Sequence, residues 1–165
     1  MKHLVISFIC PDRPGLVNSL SNIVKQHQGN WQSSSMHNLS GFFAGIIEIA
    51  VKESAAQNLI AEIKAIDGIN AQVAIASPIK IDEQETIVLE LTANDRAGIV
   101  QDISSVIHQQ NGNLLKLVSR QNNAPHSGQL MFTAKATVVV NDTNIDDLVQ
   151  ALENLADDLM VDIAR

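Results

Sequence analysis

The chain has 165 residues, 18 acidic against 11 basic side chains for a net charge of −7, and a single cysteine, Cys10. The acidic balance opposes the counterion release that carries most nucleic-acid affinity, and no apolar run approaches the roughly 20 residues that span a bilayer, so neither direct DNA binding nor a membrane segment is expected. One cysteine excludes an internal disulfide and suits a reducing, cytoplasmic compartment.

His3 to Ile9 reads as a strand, with Leu4, Ile6 and Phe8 on one face. A signal-peptide reading of Leu4–Cys10 fails because Pro11-Asp12-Arg13 follows at once and no small-residue cleavage site is present. Pro11 to Gly15 breaks the strand. Leu16, Val17, Leu20, Ile23 and Val24 then keep the rhythm of one helical face, with Pro14 fitting the first turn and Gly29 the C-terminal stop. Trp31–Leu39 and Phe42–Val51 read as two strands of a hairpin turning at Ser40-Gly41. A helix from Ala55 to about Ile66 buries Leu59, Ile63 and Ile66, Asp67-Gly68 ends it, and Ala71–Ala76 is a fourth strand.

Pro78 to Gln84 reads as a linker. Thr86–Thr92 repeats the first strand, and Leu114–Gln121 and Leu130–Val140 form the second hairpin. Between them Asn122 to Gly128 forms a longer polar loop, expected to be mobile. Asn144 is placed to cap a helix over Ile145–Leu155, and Leu159–Ile163 would be the last strand.

The two halves are copies. Asp12-Arg13-Pro14-Gly15-Leu16-Val17 returns as Asp95-Arg96-Ala97-Gly98-Ile99-Val100, and the offset of 83 residues persists without a gap from Asp12–Asn30 to Asp95–Asn113, with eight of 19 pairs identical. So long a period means a duplicated domain and not a solenoid. The fold class expected is α+β: two ferredoxin-like βαββαβ modules in tandem, over residues 1–80 and 84–165, each an antiparallel sheet with both helices on one face. Halves this small are expected to pack on each other or on a second protomer, giving a homodimer or a tightly joined pair. The strand Phe42–Ile47 is apolar on both faces, which points to cover over the helix-free side of the sheet.

Each repeat sets a glycine turn where a strand feeds a helix. Unpaired backbone N–H groups and the positive end of the helix dipole then face outward as an anion pocket, and Gly15 and Gly98 let a ligand approach the backbone. With Asp12 and Asp95 beside them to receive an ammonium group, the arrangement describes an α-amino acid. A simpler account stays open: Asp caps the helix, Arg pairs on the surface and Gly only makes the turn.

The Asp-Arg-Pro-Gly-Leu-Val run, the helix ending in Gly29-Asn30 and the βαββαβ order resemble the ACT domain, an amino-acid-sensing regulatory module. Two copies without an attached enzyme, together with Leu117-Val118-Ser119-Arg120, are similar to the glycine cleavage system transcriptional repressor family, and the first half also resembles the N-terminal module of formyltetrahydrofolate deformylase. The resemblance implies a glycine-responsive repressor that acts through a DNA-binding activator protein, or else a regulatory module of one-carbon metabolism. It implies no enzyme activity and no cofactor or metal. It assigns ligand binding to Asp12, Arg13, Pro14, Gly15 and Leu16, with Asp95, Arg96, Ala97, Gly98 and Ile99. Asn30 and Asn113, which open the second strands, join them where one module's turn meets a neighbour's strand. Ala97, where the pattern has proline, leaves the second turn less rigid. Trp31 reads as core or interface.

No Walker loop, metal-ligand spacing or nucleophile elbow marks an enzyme. Cys10 reads as a buried, inert thiol, and His3, His27, His37, His108 and His126 are scattered. A hydrolase of acylphosphatase type shares the fold and would use Arg13 with an asparagine, on fold analogy alone. An RNA-binding module also shares it, but a chain with no Tyr and one Trp lacks stacking platforms.

Overall fold

The computed structural model describes residues 1–77 and 84–164, which fall into two compact units within Met1–Lys80 and Ile81–Arg165. The linker expected from Pro78 to Gln84 lies, except for Gln84, outside the described residues.

The first unit runs β1 (Lys2–Pro11), α1 (Leu16–Gln26), β2 (Asn30–Leu39), β3 (Phe42–Val51), α2 (Glu53–Lys64) and β4 (Asn70–Ala76). Its sheet has the order β2-β3-β1-β4, antiparallel throughout. The second repeats it as β5 (Thr86–Asn94), α3 (Ile99–Gln109), β6 (Asn113–Asn123), β7 (Leu130–Val139), α4 (Ile145–Glu153) and β8 (Met160–Ala164), ordered β6-β7-β5-β8. The protein is therefore two ferredoxin-like modules in tandem.

In each unit one face of the sheet packs on both helices. Leu4, Ile6 and Phe8 of β1 alternate inward with Ile47, Ile49 and Val51 of β3, and meet Leu20 and Val24 of α1 and Leu59 and Ile63 of α2. The second core repeats the scheme with Leu89, Leu91, Ile103, Ile107, Ala136, Val138, Leu148 and Leu152. At about 25 cal/mol per Å² of apolar surface, these side chains supply most of each module's stabilisation. Trp31 packs against the first core. Asn144 does cap α4, its side chain accepting from the Asp147 N–H at 3.1 Å.

Several local expectations change. Pro14 lies in the turn before α1, and Gly15 is the N-cap residue. At the other end the left-handed residue is Gln28 (φ 54), with Asn111 (φ 61) in the second copy, and not the glycine that follows. Gly29 is needed for close packing, since a Cβ there would sit 3.0 Å from Val24 Cγ1 and 3.2 Å from Ile49 Cγ2. The helix expected from Ala55 starts at Glu53 and stops at Lys64, with Ile66 reaching the core from the turn beyond it.

The polar segment expected as a mobile loop from Asn122 is partly strand. β6 continues through Asn123, and the hairpin closes with the Ala124 N–H donating to the Gln129 carbonyl at 2.8 Å. The strand that is apolar on both faces does leave large side chains outside, since Phe42 and Ile46 are half exposed on the side away from the helices.

Candidate functional site

Each motif turn begins where the first strand of a module ends. The Asp12 N–H donates to the Gly41 carbonyl at 2.9 Å, and the Asp95 N–H to the Leu130 carbonyl at 2.9 Å, so the hairpin end of the neighbouring strand pins the turn. Gly15 (φ 87) and Gly98 (φ 84) then take the left-handed conformation that side chains with a Cβ resist. Their carbonyls accept the first helical bonds, from Ser19 and Asp102.

No side chain caps either helix. The first-turn N–H groups, which have no partner within a helix, are thus left without a side-chain acceptor. The account in which Asp caps the helix is overturned. Asp12 accepts instead from Asn38 Nδ2 of β2, and Asp95 from Gln121 Nε2 of β6. Each carboxylate is held by one oxygen against the neighbouring strand, beside the open helix start.

The arginines differ. Arg96 pairs with Asp102 in the first turn of its own helix, at 2.7 Å. The position equivalent to Asp102 is Ser19, and α1 has no acidic residue in its first turn, so the first helix start keeps the fuller positive field.

Two matching hollows result. One, of about 300 Å³, is lined by Asp12, Arg13, Gly15, Leu16, Val17, Asn18 and Phe43. The other, of about 330 Å³, has the corresponding Asp95, Arg96, Gly98, Ile99, Val100 and Gln101 with Phe132, and reaches Ser119, Arg120 and Gln121 of β6. Phe43 and Phe132 correspond because they pair across the sheet with Cys10 and Ala93. An exposed backbone donor set, a fixed carboxylate and an aromatic floor can hold a small zwitterion at each start.

Of the residues expected from the sequence, the structure brings together Asp12, Arg13, Gly15 and Leu16, and Asp95, Arg96, Gly98 and Ile99. Pro14 and Ala97 are exposed in the turns and line neither hollow. Asn30 and Asn113 are not brought to the turn of their own module. Asn30 pairs with Ala50, which pairs with His3, whereas Asp12 follows Pro11 at the other end of β1, about 26 Å away along a strand rising ~3.3 Å per residue. Asn113 stands likewise opposite Val139 and Thr86.

Sequence reasoning missed Asn38, Gln121, Phe43, Phe132 and the role of Val17 and Val100. Val17 reads from its spacing as part of the apolar helical face, but it and its counterpart Val100 are each 41% exposed and line the hollows. Their identity in both copies, among neighbours that exchange one aliphatic for another, was the available signal. Asn38 and Gln121 keep the offset of 83 and both carry amides. The phenylalanines escape that offset because the second hairpin is longer.

Cys10, beside the first turn, is 1% exposed, and burial raises its thiol pKa, with Arg13 opposing the shift and Asp12 adding to it. Its counterpart is the buried Ala93, consistent with a packing role. Among the described residues no group of three or more His, Cys, Asp or Glu is placed to hold a metal ion, and no helix is long and apolar enough to cross a membrane.

Two four-stranded antiparallel modules, each with an uncapped helix start over a hollow, define a tandem protein of ferredoxin-like fold. Residues 2–67 match the family described as the ACT domain, and the second module repeats the fold of the first. The whole chain is similar to the structure of an unknown protein from Galdieria sulphuraria, with 23% identity and a TM-score of 0.83 over 98% of this chain and 96% of that one. It is also similar to the structure of a candidate glycine cleavage system transcriptional repressor, with 17% identity and a TM-score of 0.72 over 99% of this chain and 98% of that one. At these identities the two structures speak to the fold. No curated protein matches the chain.

Proposed function

We propose that this chain is an amino-acid-responsive regulatory protein without catalytic activity of its own. Each hollow takes an α-amino acid, its carboxylate on the first-turn N–H groups of α1 or α3 and its ammonium on the free oxygen of Asp12 or Asp95. The observation that carries the reading is the pair of equivalent helix starts that no side chain caps, each beside a carboxylate tied to the next strand. The anionic and cationic ends of a zwitterion find separate partners there.

Glycine is the ligand we favour, on the family resemblance and on the name of the similar repressor structure. It has only about five heavy atoms, so even near −1.5 kcal/mol per atom its affinity would be roughly micromolar at best. So low a ceiling favours a site that a neighbouring module or protomer helps to close. The acidic chain is poorly suited to DNA itself, so we propose that occupancy changes its hold on a partner protein, a DNA-binding activator, in the cytoplasm and as a homodimer.

Calorimetric titration of the full chain with the common amino acids tests the reading. Saturable heat with glycine, lost when Gly15 and Gly98 are both replaced by Asn in a folded protein, supports it. Silence towards every amino acid from protein with native circular dichroism overturns it.

A further inference from the structure

The two modules share one frame but place their bulk differently on the strand beside the hollow. In the first, Met36 of β2 stands opposite Gly45 of β3, and Ser34 opposite Ile47. The corresponding pairs in the second are Ser119 opposite Ala134 and Leu117 opposite Ala136. The large residue has moved two positions along the strand, away from the amide that holds the motif aspartate.

The exchange is compensated across the strands. A Cβ on Gly45 would run into Met36 Cγ and also into the backbone of β2 at the Ser35 carbonyl, so the close approach of the two strands as well as the methionine requires glycine there. In the second module the strands admit Ala134 opposite Ser119. Met36 packs back onto the first core, and the first hollow is lined from the turn, α1 and Phe43. Ser119 instead lines the second hollow beside Gln121, on the helix side of β6 with Leu117, which packs on the second core. The second hollow therefore extends over β6 and gains a hydroxyl where the first has a thioether.

We infer that the second module takes an α-amino acid with a short polar side chain, of hydroxymethyl size, which the first module excludes, and that residues 36 and 119 set this difference. The inference rests on the reading that both hollows hold amino acids. A ligand Cβ substituent directed at β2 meets the Met36 side chain in the first module. In the second it reaches the Ser119 hydroxyl and the Gln121 amide. Glycine, with no substituent, fits both.

The test is calorimetry on the full chain with glycine and with serine as probes. Wild type is expected to bind glycine at two sites per chain and serine at one. Grafting the first module's pair into the second, as Ser119→Met with Ala134→Gly, is expected to weaken serine about tenfold or more while glycine is kept. The reciprocal Met36→Ser, with Gly45 kept because a Cβ there would still meet the Ser35 carbonyl, is expected to create a second serine site. Pairing Ser119→Met with Ala134→Gly makes room across the strands for the larger side chain, and circular dichroism with a thermal melt verifies folding of each variant. If serine binds both modules alike, or if the folded Ser119→Met/Ala134→Gly protein holds it within twofold of wild type, the inference is overturned while glycine binding persists. Absence of heat with both probes overturns the amino-acid reading and this inference with it.

Discussion

Asn38 donates a hydrogen bond from its side-chain amide to the Asp12 carboxylate, joining the end of β2 to the turn before α1. Gln121 makes the same connection to Asp95 one methylene further out. Both aspartates are thereby held beside the helix start rather than folded over it as caps. Replacing Asn38 with Ala is expected to lower stability by about 1 kcal/mol or less, since the bond is exposed. Ligand affinity at the first module should fall more clearly, because the carboxylate is no longer held in position. Denaturant melts and calorimetry on the same sample separate the two effects; equal affinity in wild type and Asn38→Ala would show that this bond positions nothing.

Gly15 combines a φ of 87° with nothing within 4 Å of a Cβ at that position, so the obstacle to a side chain is backbone strain and not a clash. Gly15→Val should lose about 1–2 kcal/mol of stability, because a β-branched residue resists the left-handed region. Gly15→Asn should lose less, since asparagine visits that region more readily. Both add atoms in front of the first-turn N–H groups, so both should abolish ligand response at the first module. A Gly15→Asn protein that responds normally would argue that the ligand does not approach the backbone there.

Asp102 sits in the first turn of α3 and holds Arg96 at 2.7 Å, where α1 carries Ser19 and no acid. Its negative charge opposes the helix dipole at the place where a ligand carboxylate would bind. Asp102→Ser should therefore tighten binding at the second module by about 0.3–1 kcal/mol, roughly two- to fivefold, and high salt should shrink the gain. Titrations at low and high ionic strength read it directly, and weaker binding in the variant would contradict the electrostatic account.

Burial raises the Cys10 thiol pKa. With the folded-state value above the unfolded one, this group's contribution to stability is fully present below the unfolded thiol pKa of about 8.5 and is lost as pH rises through the folded value. Wild type should accordingly lose stability above about pH 8.5 relative to Cys10→Ala, the residue found at the equivalent Ala93. In native buffer the thiol should react with a disulfide reagent only as fast as the module opens. Rapid labelling of folded protein would mark an accessible, activated cysteine instead.

Periodicity and duplication made the architecture legible. The β1 alternation of Leu4, Ile6 and Phe8 and the recurrence of the motif at Asp95 define two βαββαβ modules, and both helices lie on the expected face. The site was legible only where it is local. Asp12, Arg13 and Gly15 occur together in sequence, whereas Asn38 and Phe43 reach the same hollow through strand register, which no local spacing encodes. Val17 was misplaced because a helix's first turn extends beyond the core, so an apolar residue in phase with the buried stripe can still face solvent. Asn30 was tied by the family resemblance to a neighbouring module's turn, which no pairing within its own module tests. The antiparallel course of β2 carries it to the far end of its own sheet.

The central claim, that amino acids bind at the two helix starts, is tested most directly by titrating isotope-labelled protein with glycine and following backbone amide shifts by NMR. The account predicts saturable shifts centred on Gly15–Asn18 and Gly98–Gln101, with the side-chain amides of Asn38 and Gln121 moving in step. Shifts that leave both helix starts still, or none at any concentration up to tens of millimolar, a range well above the roughly micromolar ceiling, would contradict it.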